Sequence, residues 1–372
     1  MNNSQLPGLY VHVPFCGSKC PYCDFYSVTP RSQMGQWMAA LEGEISLYKD
    51  RFPVFDSLYV GGGTPSLLDE QTLTSLIKGI FHGFAISPDA EVTMECNPDD
   101  VTPGKAVLFR SLGVNRISLG VQSLDDKELG FLQRRHSASQ AERALACLQR
   151  AGFDNVGIDL IYGLPGQIQS DWCETLDRAL EFEPAHLSCY ELTISAGTPF
   201  ARMRDEGVFA PLEEEEGRAL FLATAQYLAD RGYIHYEVSN FAKEKKFMCH
   251  HNRKYWKRTP YLGLGPSAHS FAHGERWWNV RSVSQYCEHI FKGRSPVEGS
   301  EKLSQDQASL ESLALGFRTK EGLDETLFQN RPQAHKIITE LCESGLVSRE
   351  DGRILPTPKG FLVADSLPLL FY

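Results

Sequence analysis

Nothing in this sequence could cross a bilayer as a helix. No stretch approaches the roughly 18 consecutive apolar residues that a span requires. Basic charge is also scarce: 37 Lys and Arg stand against 47 Asp and Glu, a formal net charge of −10. Phosphate backbones need a positive field, so this balance argues against nucleic acid as the main partner. The opening stretch MNNSQLPGLYVHVPF has no basic region and no small-residue cleavage site, so it does not read as a secretory signal; the expectation is a cytoplasmic protein. There is no internal repeat and no low-complexity segment. The ten cysteines (16, 20, 23, 96, 147, 173, 189, 249, 287 and 342) do not form the dense framework of a small secreted domain. In a long chain read as unexported the thiols stay reduced.

What is present is length, a core and a repeating pattern. At 372 residues, 42% of them hydrophobic, the chain suits a large barrel with a small appended domain. Strand-like runs fall at Gly8–Phe15, Ser57–Val60, Ala90–Cys96, Asn115–Val121, Asn155–Ile161 and His186–Leu192, with helical stretches near 35–50, 69–84, 102–112, 137–151 and 169–182. This alternation predicts parallel βαβ units. Six strands are too few for a closed eight-stranded barrel, so a partial, open (β/α)6 TIM-like barrel is expected over 1–235.

Beyond it, Glu213 to Arg231 reads as a helix with acidic residues in its first turn, and Ile234–Val238 as a strand. Residues 236–300 are expected to form a connecting region, polar and basic to about 260. From about 301 the pattern is helix (306–317), helix (323–329), helix (333–344) and a hairpin turning at Asp351-Gly352. That order predicts a small C-terminal helical, winged-helix-like domain over 301–372, one without a dense basic recognition helix.

Three cysteines crowd into Cys16-Gly-Ser-Lys-Cys20-Pro-Tyr-Cys23, a C-x3-C-x2-C spacing. Three thiolates on one loop can hold three irons of a cubane and leave the fourth open to a ligand. A zinc site is the alternative. It would need a fourth ligand, for which Cys249, His250 or His251 is available. Gly61-Gly62-Gly63-Thr64-Pro65 follows the second strand, where glycines admit close approach of a ligand or simply a tight turn. Glu95 ends the third strand, and Gln122 ends the fourth. Asp159 sits inside an apolar strand, and a carboxylate there needs a partner. Arg134, in Gln133-Arg134-Arg135-His136, can pair with a carboxylate or belong to a surface basic patch.

Together these motifs resemble the radical S-adenosylmethionine (SAM) superfamily, and nearly the whole chain resembles its oxygen-independent coproporphyrinogen III oxidase-like branch. The resemblance implies a [4Fe–4S] cluster on Cys16, Cys20 and Cys23 whose open iron chelates SAM. It also implies that Tyr10, Tyr22, Gly62, Gly63, Thr64, Glu95, Gln122, Arg134, Asp159 and Thr193 hold SAM. Two departures from the oxidase pattern stand out. Phe25 occupies the position of a fourth cysteine, and the motif lies close to the first residue.

His251-Asn252-Arg253-Lys254-Tyr255-Trp256 matches an H-N-x-x-Y-W signature that looks like the HemW-type haem chaperones. Between Lys243 and Arg258 seven Lys and Arg face one acid, Glu244, and Cys249, His250 and His251 lie among them. Haem takes an axial His or Cys, cations for its propionates and apolar surface for its faces; a solvated basic loop is the plainer reading. With the signature, the expectation is haem on His251, with His250 and His269 as further candidates. The expected function is a chaperone that binds a cluster, SAM and haem and delivers haem to respiratory haem proteins. A homodimer and peripheral contact with an anionic membrane face belong to the same expectation. The alternative is a catalytic radical SAM enzyme on a porphyrin, an oxidase or a methyltransferase. A DNA-binding redox regulator, suggested by the winged-helix-like tail, is opposed by the acidic charge.

Overall fold

The structure, a computed structural model, describes residues 6–371 except 330 and 332. It opens with β1 (Gly8–Val13), α1 (Met34–Tyr48), β2 (Phe55–Gly62), α2 (Glu70–Gly83), β3 (Ile86–Cys96), α3 (Pro103–Ser111) and β4 (Arg116–Gln122). Next come α4 (Asp126–Phe131), α5 (Ala138–Arg150), β5 (Val156–Tyr162), α6 (Gln169–Leu180) and β6 (His186–Glu191). The strands β1 to β6 are parallel neighbours in chain order, as the alternation predicts.

Local signals start the helices where they begin. Asp69 caps α2 by accepting from Thr72 N, and Ser137 with Gln140 forms a capping box on α5. The strands are two-sided. On β4, Ile117, Leu119 and Val121 are fully buried under the helices. The alternate residues Arg116, Ser118, Gly120 and Gln122 face an interior cavity. A polar residue every second position in an apolar strand is therefore what lines the chamber.

After α7 (Pro199–Asp205) and α8 (Glu214–Ala229), the hairpin β7 (Ile234–Glu237) and β8 (Asn240–Ala242) adds antiparallel to β6. Then α9 (His250–Trp256) leads to β9 (Tyr261–Leu264), parallel to β1, followed by β10 (His269–Ala272) and β11 (Glu275–Asn279). Finally α10 (Val283–Phe291) leads to β12 (Val297–Lys302). The result is one open sheet in the order β12-β11-β10-β9-β1-β2-β3-β4-β5-β6-β8-β7. Residues 236–300 are thus not a connection: they extend both edges of the partial barrel. The expected strand at Ile234–Val238 is β7, but the other strands, of three to six residues, are too short for a clear alternation, which hid them in the sequence.

The C-terminal part holds α11 (Gln305–Gly316), β13 (Leu323–Asp324), α12 (Ala334–Glu343), β14 (Val347–Glu350), β15 (Arg353–Pro356) and α13 (Pro358–Phe361). It has its own core, including Phe317, Phe328, Ile338, Leu341 and Phe371. Its three strands run in the order β13-β15-β14, and Asp351 and Gly352 both take positive φ at the hairpin turn. One expected helix is corrected. Within 323–329, Leu323 and Asp324 pair with β15, and only Glu325–Phe328 forms a single 3-10 turn. The cause is Gly322, at φ 58°, where an added Cβ would lie 2.1 Å from the Ile354 carbonyl oxygen. So close a crossing draws the chain into the sheet before a helix can start.

Candidate functional site

The loop after β1 is pinned at both feet. Cys16 N donates to the Val28 carbonyl at 3.0 Å, and Val28 N to the Pro14 carbonyl at 2.7 Å. Buried Phe15 packs edge-on to Trp37 at 5.6 Å, anchoring the entry to α1. Within the loop Cys23 N donates to the Cys20 carbonyl at 3.1 Å. All three thiols are half-buried. Burial raises the pKa of Cys23, and the neighbouring Cys20 and Cys16 raise it further. Bound iron would reverse that penalty, because a coordinating thiol is deprotonated outright.

The donor set fits a cubane better than zinc. Among the described residues no three His, Cys, Asp or Glu side chains are grouped to hold a single metal ion. Cys249, His250 and His251, the candidates for a fourth zinc ligand, lie at the opposite ends of the strands, beside Ser57 and Glu91.

Below the loop opens a cavity of about 520 Å³. Cys16, Cys20, Tyr22 and Cys23 line its mouth. The strand ends contribute Gly62, Gly63, Thr64, Glu95, Gln122 and Asp159, and Arg134 and Thr193 also line it, so all of the set expected from the sequence except Tyr10 is on the wall. Tyr10 is not on the wall: its hydroxyl bonds His12 Nδ1 at 3.1 Å and its ring lies 6.1 Å from that of Tyr59. Thr193 sits exposed at the rim, donating to the Glu191 carbonyl.

The chamber's charges are held in place. Glu95 accepts from Tyr59 Oη at 2.8 Å and from Gly62 N at 3.0 Å. Burial pushes its carboxyl up to about 7, and Asp159 adds to the rise. Asp159 accepts from Ser118 Oγ at 2.8 Å and is likewise raised by burial. Gln122 stands at φ 69° beside a register shift in β4. A left-handed, non-glycine residue at a strand end is strain of the kind that collects at ligand sites. Arg134 donates through Nη1 to Cys20 Sγ at 3.3 Å, and through Nη2 to Asn97 Oδ1 and to the Gly120 carbonyl at 2.8 Å. It therefore braces the cysteine loop against β3 and β4. Arg135 bonds Asp99 and Asp100, closing the same corner.

Gly63 is required by close approach. A Cβ there would sit 2.6 Å from the Phe15 carbonyl oxygen and 2.7 Å from that of Val13. These are backbone atoms that cannot swing aside. Gly63→Ala is expected to destabilise by about 1–3 kcal/mol and to lower the iron retained after reconstitution. Gly79→Ala in α2, where a Cβ meets nothing within 4 Å, serves as the control. Equal iron content and equal melting temperature in the two variants would refute the expectation.

Several wall residues escaped the sequence reading: Tyr59, Asn97, Arg116, Ser118, Ser188 and Asn252. Period-two counting back from Gln122 would have found Ser118 and Arg116. Nothing local marks Asn252.

The structure does not bring His251 to the cavity. The residue is 1% exposed. Nδ1 bonds Ser57 Oγ and Nε2 bonds Tyr255 Oη, each at 2.9 Å. Both ring nitrogens are hydrogen-bonded in this conformation. His250 is more open, with Nε2 on Asp56 Oδ2 at 3.0 Å, and His269 is exposed and stacked on Trp278. The basic run around these histidines is largely neutralised. Lys243 pairs with Glu183, Lys246 with Glu244, Lys254 with Asp56 and Arg258 with Glu311, while Arg253 and Lys257 share Glu321. It is a helix pinned by carboxylates and not a free basic loop.

Comparison with known proteins follows the same lines. Residues 10–179 match the Radical SAM superfamily. A "Heme chaperone HemW" of Mycobacterium tuberculosis is 34% identical over 369 residues, covering 97% of this chain and 93% of that one. The HemW of Bacillus subtilis is 30% identical, covering 96% and 97%. The mitochondrial "Radical S-adenosyl methionine domain-containing protein 1" of Bos taurus is 33% identical, covering 98% and 87%. Among solved structures, the coproporphyrinogen III oxidase of Escherichia coli, a radical SAM enzyme, superposes with a TM-score of 0.84 at 24% identity, covering 99% of this chain and 90% of that one. That likeness establishes the fold.

Proposed function

Since the chain belongs to the radical SAM superfamily, and within it to the family of the heme chaperone HemW, we propose that it is a cytoplasmic protein that binds a [4Fe–4S] cluster, SAM and haem and passes haem to respiratory haem proteins. The observation that carries the cofactor part is that three half-buried thiols line the mouth of a polar chamber, where they would hold a cluster beside Glu95, Arg134 and Asp159. The haem part rests on the near full-length likeness to proteins named heme chaperones. Phe25, in the position of a fourth cysteine, is 66% exposed at the cavity mouth.

The reduced cluster, when bound, supplies one electron to SAM. The chain's own part is binding and orientation. Glu95 and Asp159 offer acceptors to hydroxyl or ammonium groups, and Arg134 fixes the loop that carries Cys20. Among the described residues no helix is long and apolar enough to cross a membrane. The pairing of Lys243 to Arg258 leaves little positive field there for an anionic membrane face, so that part of the expectation finds no support in the surface. A homodimer remains part of the proposal.

The test is made on anaerobically reconstituted protein. Haem is titrated by absorbance, and release of 5′-deoxyadenosine from SAM is followed with and without coproporphyrinogen III. Saturable haem binding with slow, porphyrin-independent release is the expected result. Rapid release that depends on the porphyrin, with weak haem binding, would replace the chaperone by an enzyme.

A further inference from the structure

The H-N-x-x-Y-W segment lies where the strands begin, at the end of the barrel away from the cysteine loop. Its helix α9 is docked by its N-terminus, where His250 N and His251 N donate to the Glu91 carboxylate at 3.0 and 2.9 Å. Lys254, 3% exposed, reaches the Leu6 carbonyl at 2.7 Å and Asp56 at 2.6 Å. Asn252, one residue beyond His251, appears on the cavity wall. Thus α9 closes the base of the chamber whose mouth carries the cysteines.

His251 is the centre of that floor. Ser57 and Tyr255 hold its two nitrogens, and its ring lies 5.2 Å from the ring of Tyr59. Tyr59 in turn donates its hydroxyl to Glu95 Oε1 at 2.8 Å. A contiguous chain of contacts therefore runs from the signature histidine to the carboxylate expected to hold SAM. His251 and Tyr59 are buried and Glu95 is half-buried at the cavity wall, and interiors this densely packed transmit displacement. An imidazole with both nitrogens occupied is suited to bracing and not to coordination. Burial pushes it down to about 3, with Lys254 and His250 adding to the shift. It therefore stays neutral and does not repel the cations around it.

We infer that His251 is a positioning residue for SAM: it fixes the ring of Tyr59 and, through its hydroxyl, the orientation of Glu95, and it does not ligate haem iron. The inference rests on the reading that this chamber takes SAM.

The test uses the cluster-loaded full chain, with SAM affinity measured by equilibrium dialysis and haem affinity by absorbance. His251→Ala is expected to weaken SAM about tenfold, the scale of one hydrogen bond to a charged group, and to leave the haem spectrum and affinity at wild-type values. Tyr59→Phe, which leaves α9 intact and removes only the hydroxyl, is expected to weaken SAM equally. The double variant should be no worse than either single one, because both act through the same bond to Glu95. Tyr59→Phe also keeps the inference testable should His251→Ala fail to fold. Wild-type SAM affinity in Tyr59→Phe, additive losses in the double variant, or loss of haem binding in His251→Ala with SAM binding intact would each overturn it. A wild-type protein that binds no SAM would instead overturn the reading of the chamber, and the two failures are told apart in the first titration.

Discussion

Cys20→Ala is expected to fold and yet retain almost no iron. Three thiolates hold three irons of the cubane, and with one removed the remaining pair cannot retain it. The loop itself should survive. Its backbone bonds from Cys16 to Val28 and from Cys23 to Cys20 do not involve the side chain. Arg134 loses one acceptor, but Asn97 and the Gly120 carbonyl remain, so no charge is stranded in the interior. Iron and sulfide content after anaerobic reconstitution, with a melting curve beside it, decides the matter. SAM affinity should fall with the iron, because the open coordination site goes with the cluster. Cys249→Ala is the matched control and should load iron normally. Normal iron in Cys20→Ala, or lost iron in Cys249→Ala, would overturn the three-thiol cluster and revive a site built across both ends of the barrel.

Glu44→Ala is expected to lower the melting temperature by roughly 10 °C or more, or to prevent folding. Glu44 is 0% exposed in α1, where it accepts from Gly265 N at 2.7 Å and from Asn279 Nδ2 and Tyr286 Oη at 2.6 Å each. One carboxylate thus ties α1 to the β9–β10 turn, to β11 and to α10. Truncation orphans Gly265 N and Tyr286 Oη at about 1–3 kcal/mol each and leaves Asn279 Nδ2 only the Gly265 carbonyl, against a total stability of roughly 5–15 kcal/mol. Glu44→Gln keeps an acceptor and should cost far less. The pair also isolates a pH effect. Burial raises Glu44 from 4.5 to about 7, so the folded state holds this proton more tightly than the unfolded chain does. The Glu44 contribution to wild-type stability therefore falls as pH rises from about 4.5 to about 7, at up to roughly 1.4 kcal/mol per unit, and levels off above. Glu44→Gln lacks that slope, so its deficit relative to wild type should shrink across this window. Buried His12, His136 and His235, each pushed down to about 4, act in the other direction: they remove stability as pH drops from about 6.5 towards 4. They are common to both proteins and cancel in the difference. A constant gap from pH 5 to 8 would show that Glu44 does not carry this proton.

The barrel strands and the chamber were legible for one reason. A polar residue inside an apolar run has few explanations, so Glu95, Gln122 and Asp159 announced themselves, and the cysteine spacing fixed the mouth. The base of the barrel was not legible. Whether a run of lysines and arginines is solvated or neutralised depends on acids far away in sequence. Here those acids are Asp56, Glu183, Glu311 and Glu321. The same distance hid His251. Its neighbours in the chain are basic and aromatic, as a haem site requires, while its neighbours in space are Ser57 and Tyr59. Local sequence gave the chemistry of the side chain and not its surroundings. The 323–329 turn failed on the same ground, decided by the Ile354 carbonyl some thirty residues on.

The open sheet has two outer strands, and their treatment limits how copies of this chain can associate. On one side β12 is short, mostly exposed and carries Glu298, Glu301 and Lys302. On the other, β7 continues into the C-terminal part: Val238 N donates to the Arg318 carbonyl at 3.1 Å, and Lys320 N to the Tyr236 carbonyl at 2.9 Å. A charged edge and a covered one are both poor templates for strand addition. Two molecules that pair in solution would therefore have to meet through helices or loops, and the sheet cannot grow into a polymer without first shedding residues 318–320.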